Sequence, residues 1–190
     1  GNLTLSGGLD NGGFGLTIQG NAATTIAGIS GTGALSKIDG GTATLTGTVA
    51  TGSISVSGGT LVLGAADILG NATTVTVSGS GTLDLGATVD VVGSLVLSGS
   101  ASLANGTLTA STYTLGGGTV TANLGGGTLL NTGNTTLGGT TGAGTVNVNA
   151  GSLTLGAAGR LAAAPVVGGS STGTLVLGGD ESIASLAGGA

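Results

Sequence analysis

Gly59-Thr-Leu-Val-Leu-Gly64 decides the fold, because the same pattern returns as Gly81-Thr-Leu-Asp-Leu-Gly86, Gly151-Ser-Leu-Thr-Leu-Gly156 and Gly173-Thr-Leu-Val-Leu-Gly178. In each copy two Leu flank one variable residue and Gly closes both ends. Alternation over so few residues, bounded by Gly, marks a short strand. Successive side chains of a strand face opposite ways. Leu61 with Leu63, Leu83 with Leu85, Leu153 with Leu155 and Leu175 with Leu177 are therefore expected inside, and Val62, Asp84, Thr154 and Val176 outside. Asp84 sets the sense, since an unpaired carboxylate is not buried beside two leucines.

Further strands of this kind are expected at Leu3 to Leu5, Leu16 to Ile18, Val75 to Val77, Leu95 to Leu97 and Val146 to Val148. Gly-Gly, Ser-Gly and Asn-Gly steps separate them and favour turns, because Gly and Asn tolerate positive φ. No stretch of helical period with caps is present, so negligible helix is expected.

The strands recur at fixed distances. Gly59 to Gly81 is 22 positions, and Gly151 to Gly173 is again 22. A longer period of 92 pairs Leu3 with Leu95, Leu5 with Leu97, Leu16 with Leu108, Leu45 with Leu137, Val56 with Val148 and Ala65-Ala66 with Ala157-Ala158. Towards the end, Ile183-Ala-Ser-Leu186 matches Val92-Gly-Ser-Leu95 after a slip of one residue. The expected organisation is one continuous unit over 1–190, made of two repeats at about 1–92 and 93–190, without a linker. Such regularity indicates an all-β fold, a parallel β-helix or β-solenoid. Coils of about 20 to 23 residues would give roughly eight or nine turns and, at about 4.8 Å per rung, a rod about 40 Å long.

Composition narrows the chemistry. The 190 residues include 45 Gly and no Cys, His, Met or Trp. Imidazole bases, thiolate nucleophiles and nitrogen or sulfur metal sites are therefore excluded, and no catalytic residue, cofactor or metal is expected. The two cations, Lys37 and Arg160, stand far apart, whereas a phosphate backbone needs clustered positive charge; nucleic acid is not an expected partner. With 39% hydrophobic residues and a mean hydropathy of +0.58 the chain should fold rather than stay disordered. Its apolar content is Leu, Val, Ala and Ile, with Phe14 and Tyr113 the only aromatics, which suits a thin core. Gly interrupts every apolar run, so no transmembrane helix is expected. Residues 1–7 lack a basic n-region and an apolar h-region, and an export signal would lie outside this segment.

Local candidates are weak. Gly116-Gly-Gly118 and Gly125-Gly-Gly127 carry no Lys and open no helix, so they read as turns rather than phosphate cradles. Asp10-Asn-Gly-Gly13 and Gly178-Gly-Asp-Glu181 place oxygen ligands near Gly, but neither follows the calcium-binding nonapeptide of β-rolls. Asp84 and Asp90 read as solvated surface acids, because nothing separates their acidities as a glycosidase pair requires. Four Asn-x-Thr sequons begin at Asn2, Asn71, Asn105 and Asn134, as composition alone would produce. Thr60, Thr82, Thr107 and Thr174 could form an outward hydroxyl ladder of the kind that binds ice or glycans, although Thr also simply suits an exposed strand.

Gly59-Thr-Leu-Val-Leu-Gly-Ala-Ala-Asp67, Gly81-Thr-Leu-Asp-Leu-Gly86 and Asp180-Glu-Ser-Ile-Ala-Ser-Leu-Ala-Gly-Gly189 resemble the autotransporter-associated β-strand repeats of secreted Gram-negative proteins. Filamentous-haemagglutinin-like adhesins are similar. The resemblance implies a parallel β-helix stalk, secreted or displayed on the bacterial surface, with the lack of Cys fitting export as an unfolded chain. It carries no catalytic signature. The expected function is a non-catalytic rigid stalk or fibre of an adhesin, with no membrane insertion by this segment. The expected partners are other copies or neighbouring repeats end to end, and host or cell-surface ligands. A self-assembling filament subunit is the alternative, because open solenoid ends expose strand edges.

Overall fold

The computed structural model describes residues 1–188, and those residues form strands and turns with no helix. The chain winds as a β-solenoid of about ten turns. Every coil contributes one strand to a ten-stranded sheet that runs from Leu3–Leu5 to Gly173–Val176. It then returns through an eleven-stranded sheet that runs from Leu16–Ile18 to Ser185–Gly188, with Asn123–Leu124 beside the main path. All strand pairings are parallel, for example Leu61 with Leu83 and Val75 with Leu95. A third, narrower side lies between the two sheets along the chain. It begins with Leu9–Asp10 on Ile29–Ser30 and continues through single bridges at Val49 and Leu69. Two ten-residue strands, Val89–Ser98 and Thr107–Gly116, wrap from this side onto the eleven-stranded sheet.

The turn count exceeds the expected eight or nine because the coils are not uniform. Leu61 to Leu83 is the 22-residue step seen in the sequence, whereas Leu103 to Val120 and Val120 to Leu137 are steps of 17. The difference is taken up in the corners; strand positions on the two sheets are kept, since dropping them would remove inward Leu or Val. Nine spacings of about 4.8 Å give a rod of about 43 Å. Under the 92-residue shift, Leu45 and Leu137 share the ten-stranded sheet and Val56 and Val148 share the eleven-stranded one. Leu3 and Leu95 lie in different sheets.

The core is a set of one-residue-wide stacks. Leu61, Leu83, Leu103, Val120, Leu137 and Leu155 form one of them, and each is buried. Each such side chain contributes roughly 1.5–3 kcal/mol of burial, and each coil supplies the hydrogen-bond partners of the next. The inward assignment holds for Leu61, Leu63, Leu83, Leu85, Leu153 and Leu155. It is corrected for the last copy of the motif: Leu177 is 54% exposed and Leu175 is only partly buried. Among the described residues their strand pairs on one side only, with Gly151–Leu155, so the same local sequence finds half of the packing. Phe14 also stays outside, 81% exposed.

Candidate functional site

Five polar side chains lie at inward strand positions where alternation puts aliphatic ones, namely Lys37, Asp90, Tyr113, Asn131 and Thr135. Lys37 follows Leu35 and Ser36 in a strand of buried, intermediate, buried pattern, and it is itself buried. Its Nζ donates to the carbonyls of Ile38 at 2.7 Å, Asp39 at 2.9 Å and Gly58 at 3.3 Å. Burial holds this ammonium below the ordinary lysine range, against the pull of Asp39. Asn131, also buried, donates from Nδ2 to the carbonyls of Gly133 and Ala150. Its Oδ1 and the buried Thr135 hydroxyl have no hydrogen-bond partner. Tyr113 fills the core with its hydroxyl accepting from Ala110 N at 2.8 Å and directed at the carbonyls of Leu108 and Gly126. Burial raises its phenol above the usual range, and backbone hydrogen bonds oppose the shift.

Asp90 is a correction to the surface assignment: it has no exposed area. Its Oδ2 accepts from Ile68 N at 3.0 Å and Leu69 N at 3.3 Å, and its Oδ1 from Val91 N at 2.8 Å. The chain around Leu69 makes only an isolated bridge to Val49, which leaves these N–H groups for a side chain to satisfy. Burial pushes the Asp90 carboxyl up; its backbone donors pull it down and the Asp67 charge adds to the rise. Glu181 does the same work elsewhere, with Oε1 accepting from Arg160 N and Oε2 from Leu161 N, both at 2.8 Å. Ile68 and Leu69 become Arg160 and Leu161 under the 92-residue shift, and Asp90 becomes Glu181 with the one-residue slip. Of the acids suggested as oxygen ligands, Glu181 is thus committed to backbone N–H groups.

The remaining candidates are not assembled into one place. Asp84 is half-buried on the outer face of the ten-stranded sheet, accepting from Gly86 N and Asn105 Nδ2, whereas Asp90 is inside on the narrow side. Asp10 accepts from Gly12 N, and Asn11 Nδ2 donates to the Gly33 carbonyl. Gly118 and Gly127 have positive φ and sit at corners where a coil enters its next strand, the turn role expected of both Gly runs. Asn2, Asn71, Asn105 and Asn134 are exposed. Among the described residues no group of three His, Cys, Asp or Glu is placed to hold a metal ion.

The hydroxyl ladder also differs from the expected one. Thr60 and Thr82 are register partners, but Thr107 lies on the narrow side and Thr174 pairs with Ser152 in another column. The column containing Thr60 and Thr82 instead continues from Thr42 through Ser102, Thr119, Thr136 and Thr154. No family model, curated protein or solved structure matches the chain. Alternation identifies outward Thr but not register, because coil length varies. Lys37 carries the parity signal that could have found it, two residues after the inward Leu35.

Proposed function

We propose that the chain is a non-catalytic structural segment, a rigid stalk or fibre of a bacterial adhesin that works outside the cell. The observation that carries this reading is the parallel stacking of about ten coils around an aliphatic core, with the buried Lys37, Asp90 and Asn131 hydrogen-bonded to the backbone. A solenoid of this kind transmits position and force along its axis, and its lateral faces are free for contact. The adhesin assignment rests on the sequence resemblance to autotransporter and haemagglutinin-like repeats. Negative-stain electron microscopy of the purified chain tests the rod: particles about 43 Å long, unchanged across concentration, are the expected result. Compact round particles would overturn it.

One observation favours end-to-end assembly as a second reading. Leu16 and Leu186 are the first and last residues of the same inward column, and Leu186 is 73% exposed. A second copy, or neighbouring repeats of the same array, stacked in register would continue that column and pair the strand edges. Light scattering that rises with concentration, together with fibres one solenoid wide, would support this filament.

A further inference from the structure

The outer face of the eleven-stranded sheet has a chemistry that the stalk role does not use. Ser53, Thr74, Ser94, Thr112, Thr128 and Thr145 occupy one register position on six consecutive coils. Two residues further along each strand, Ser55, Thr76 and Thr114 add hydroxyls, while Val96, Leu130 and Asn147 complete that second column. None of the twelve is buried, charged or aromatic. The rows lie about 4.8 Å apart along the rod, and the columns about 6.7 Å apart across it.

These hydroxyls are also uncommitted. Among the twelve, the one side chain to side chain hydrogen bond is Ser94 Oγ to Thr74 Oγ1 at 3.4 Å. Some hydroxyls elsewhere are spent on backbone, as Thr73 is on Thr51 O and Thr88 on Leu85 O, and the Thr60 and Thr82 column of the ten-stranded sheet shares its outer face with the charged Asp84. A face without charge offers nothing to an ionic partner, and one without aromatic rings offers no platform for a sugar ring. What remains is a grid of methyl groups and free hydroxyls held in place by a hydrogen-bonded scaffold. Such a grid anchors water in a repeating pattern, and it does so without ordering flexible side chains first.

We propose that this face binds ice, with its hydroxyls completing the hydrogen-bonded water lattice at the ice surface and its Thr methyls seated in that lattice. The proposal stands independently of the adhesin assignment.

Partition of the purified chain into a slowly grown ice front, with ice-crystal shaping observed in parallel, tests it. The expected result is enrichment of the chain in the ice fraction. Thr112→Asp and Thr128→Asp should lose that enrichment while keeping a β circular dichroism spectrum, and Thr82→Asp on the other sheet should keep it. Ser53→Asp, at the far end of the column, serves if a central variant does not fold. Exclusion of the unmodified chain from ice overturns the proposal, as does equal behaviour of the variants on the two sheets. Binding to microcrystalline cellulose with exclusion from ice would assign the face to a polysaccharide instead.

Discussion

Lys37 and Asn131 stand in one inward column of the eleven-stranded sheet, five coils apart, and each caps the corner that follows it. Lys37 reaches the carbonyl two residues ahead, Asp39 O, and the next coil's Gly58 O. Asn131 likewise reaches Gly133 O and the next coil's Ala150 O. Corners are where the ladder stops and carbonyls lose strand partners, so a donor from inside is stabilising there. Lys37→Ala is expected to cost about 2–4 kcal/mol through the cavity and the orphaned carbonyls. Lys37→Asn should recover part of that loss, as read from urea unfolding followed by circular dichroism. Equal losses would mean that an amide does not reach these carbonyls at this coil.

Asp90 gives the fold a pH dependence whose sign is fixed by its surroundings. Its carboxyl is raised above the ordinary aspartate value, with burial the main cause and the Asp67 charge adding to it. Between the unfolded and folded pKa values the folded chain therefore holds a proton that the unfolded chain has released. The stabilisation linked to Asp90 is complete below that value and is lost as pH rises through the folded pKa. Asp90→Asn should flatten the fall in stability that sets in as pH rises above the ordinary aspartate value. Asp90→Ala should cost about 2–4 kcal/mol at neutral pH, because Ile68, Leu69 and Val91 N–H groups lose their acceptor. Urea midpoints across this rise in pH check both; an unchanged slope in Asp90→Asn would assign the dependence to other groups.

Much of the architecture was legible because the Leu-x-Leu pattern carries face and period together. Leu61, Leu83 and Leu153 are buried as alternation requires, and parallel stacking follows from copies spaced by one coil. Three things were not legible. Coil length is set in corners, where Gly and Ser carry no periodic signal, so the Thr register was missed, whereas the expected eight or nine turns lie close to the roughly ten of the structure. Inward polar residues such as Lys37 and Asp90 obey the parity of their strands, but composition suggests that charges belong outside; only the backbone groups they meet explain their burial. The exposure of Leu177 goes with its place beside the last described strand of the ten-stranded sheet, which no local pattern contains.

That last point separates two copies of the Leu-x-Leu motif. Leu83 has coils on both sides and no exposed area, whereas Leu177 is 54% exposed. Leu83→Asp should destabilise by about 4 kcal/mol or more, since it places an unpaired charge in the aliphatic stack. Leu177→Asp should cost no more than about 1 kcal/mol. Asp84→Asn should be nearly neutral, because the amide oxygen can still accept from Gly86 N. Thermal melts of the three variants check the order, and comparable losses at residues 83 and 177 would mean that the last coil is as well packed as the middle ones.

Tyr113 is the only tyrosine in a chain without tryptophan, so its ionisation can be followed by ultraviolet absorbance without interference. Burial raises its phenol above 10.0. Its stabilising contribution is present below the ordinary tyrosine value and is lost as pH rises through the raised one. Tyrosinate should therefore appear later in alkaline titration than it does in urea-unfolded chain. Tyr113→Phe should cost about 1–3 kcal/mol by leaving Ala110 N without an acceptor. Titration at the same pH in folded and unfolded chain would show the hydroxyl to be solvated.

Glycine is expected to matter at some corners and not at others, and the spacing between coils decides which. A Cβ at Gly139 would fall on the carbonyl oxygen of Ala122 in the preceding coil, an atom that cannot move without breaking the stack. Gly126 has open space around the same position and no positive φ. Gly139→Ala should cost about 1–3 kcal/mol or more, from forcing adjacent coils apart. Gly126→Ala should instead stabilise by about 0.4–1 kcal/mol, by restricting the unfolded chain where the folded backbone already suits alanine. Opposite signs in urea midpoints are the expected result. Destabilisation by both would show that the coil corners need glycine for its flexibility, with close approach between coils a secondary matter.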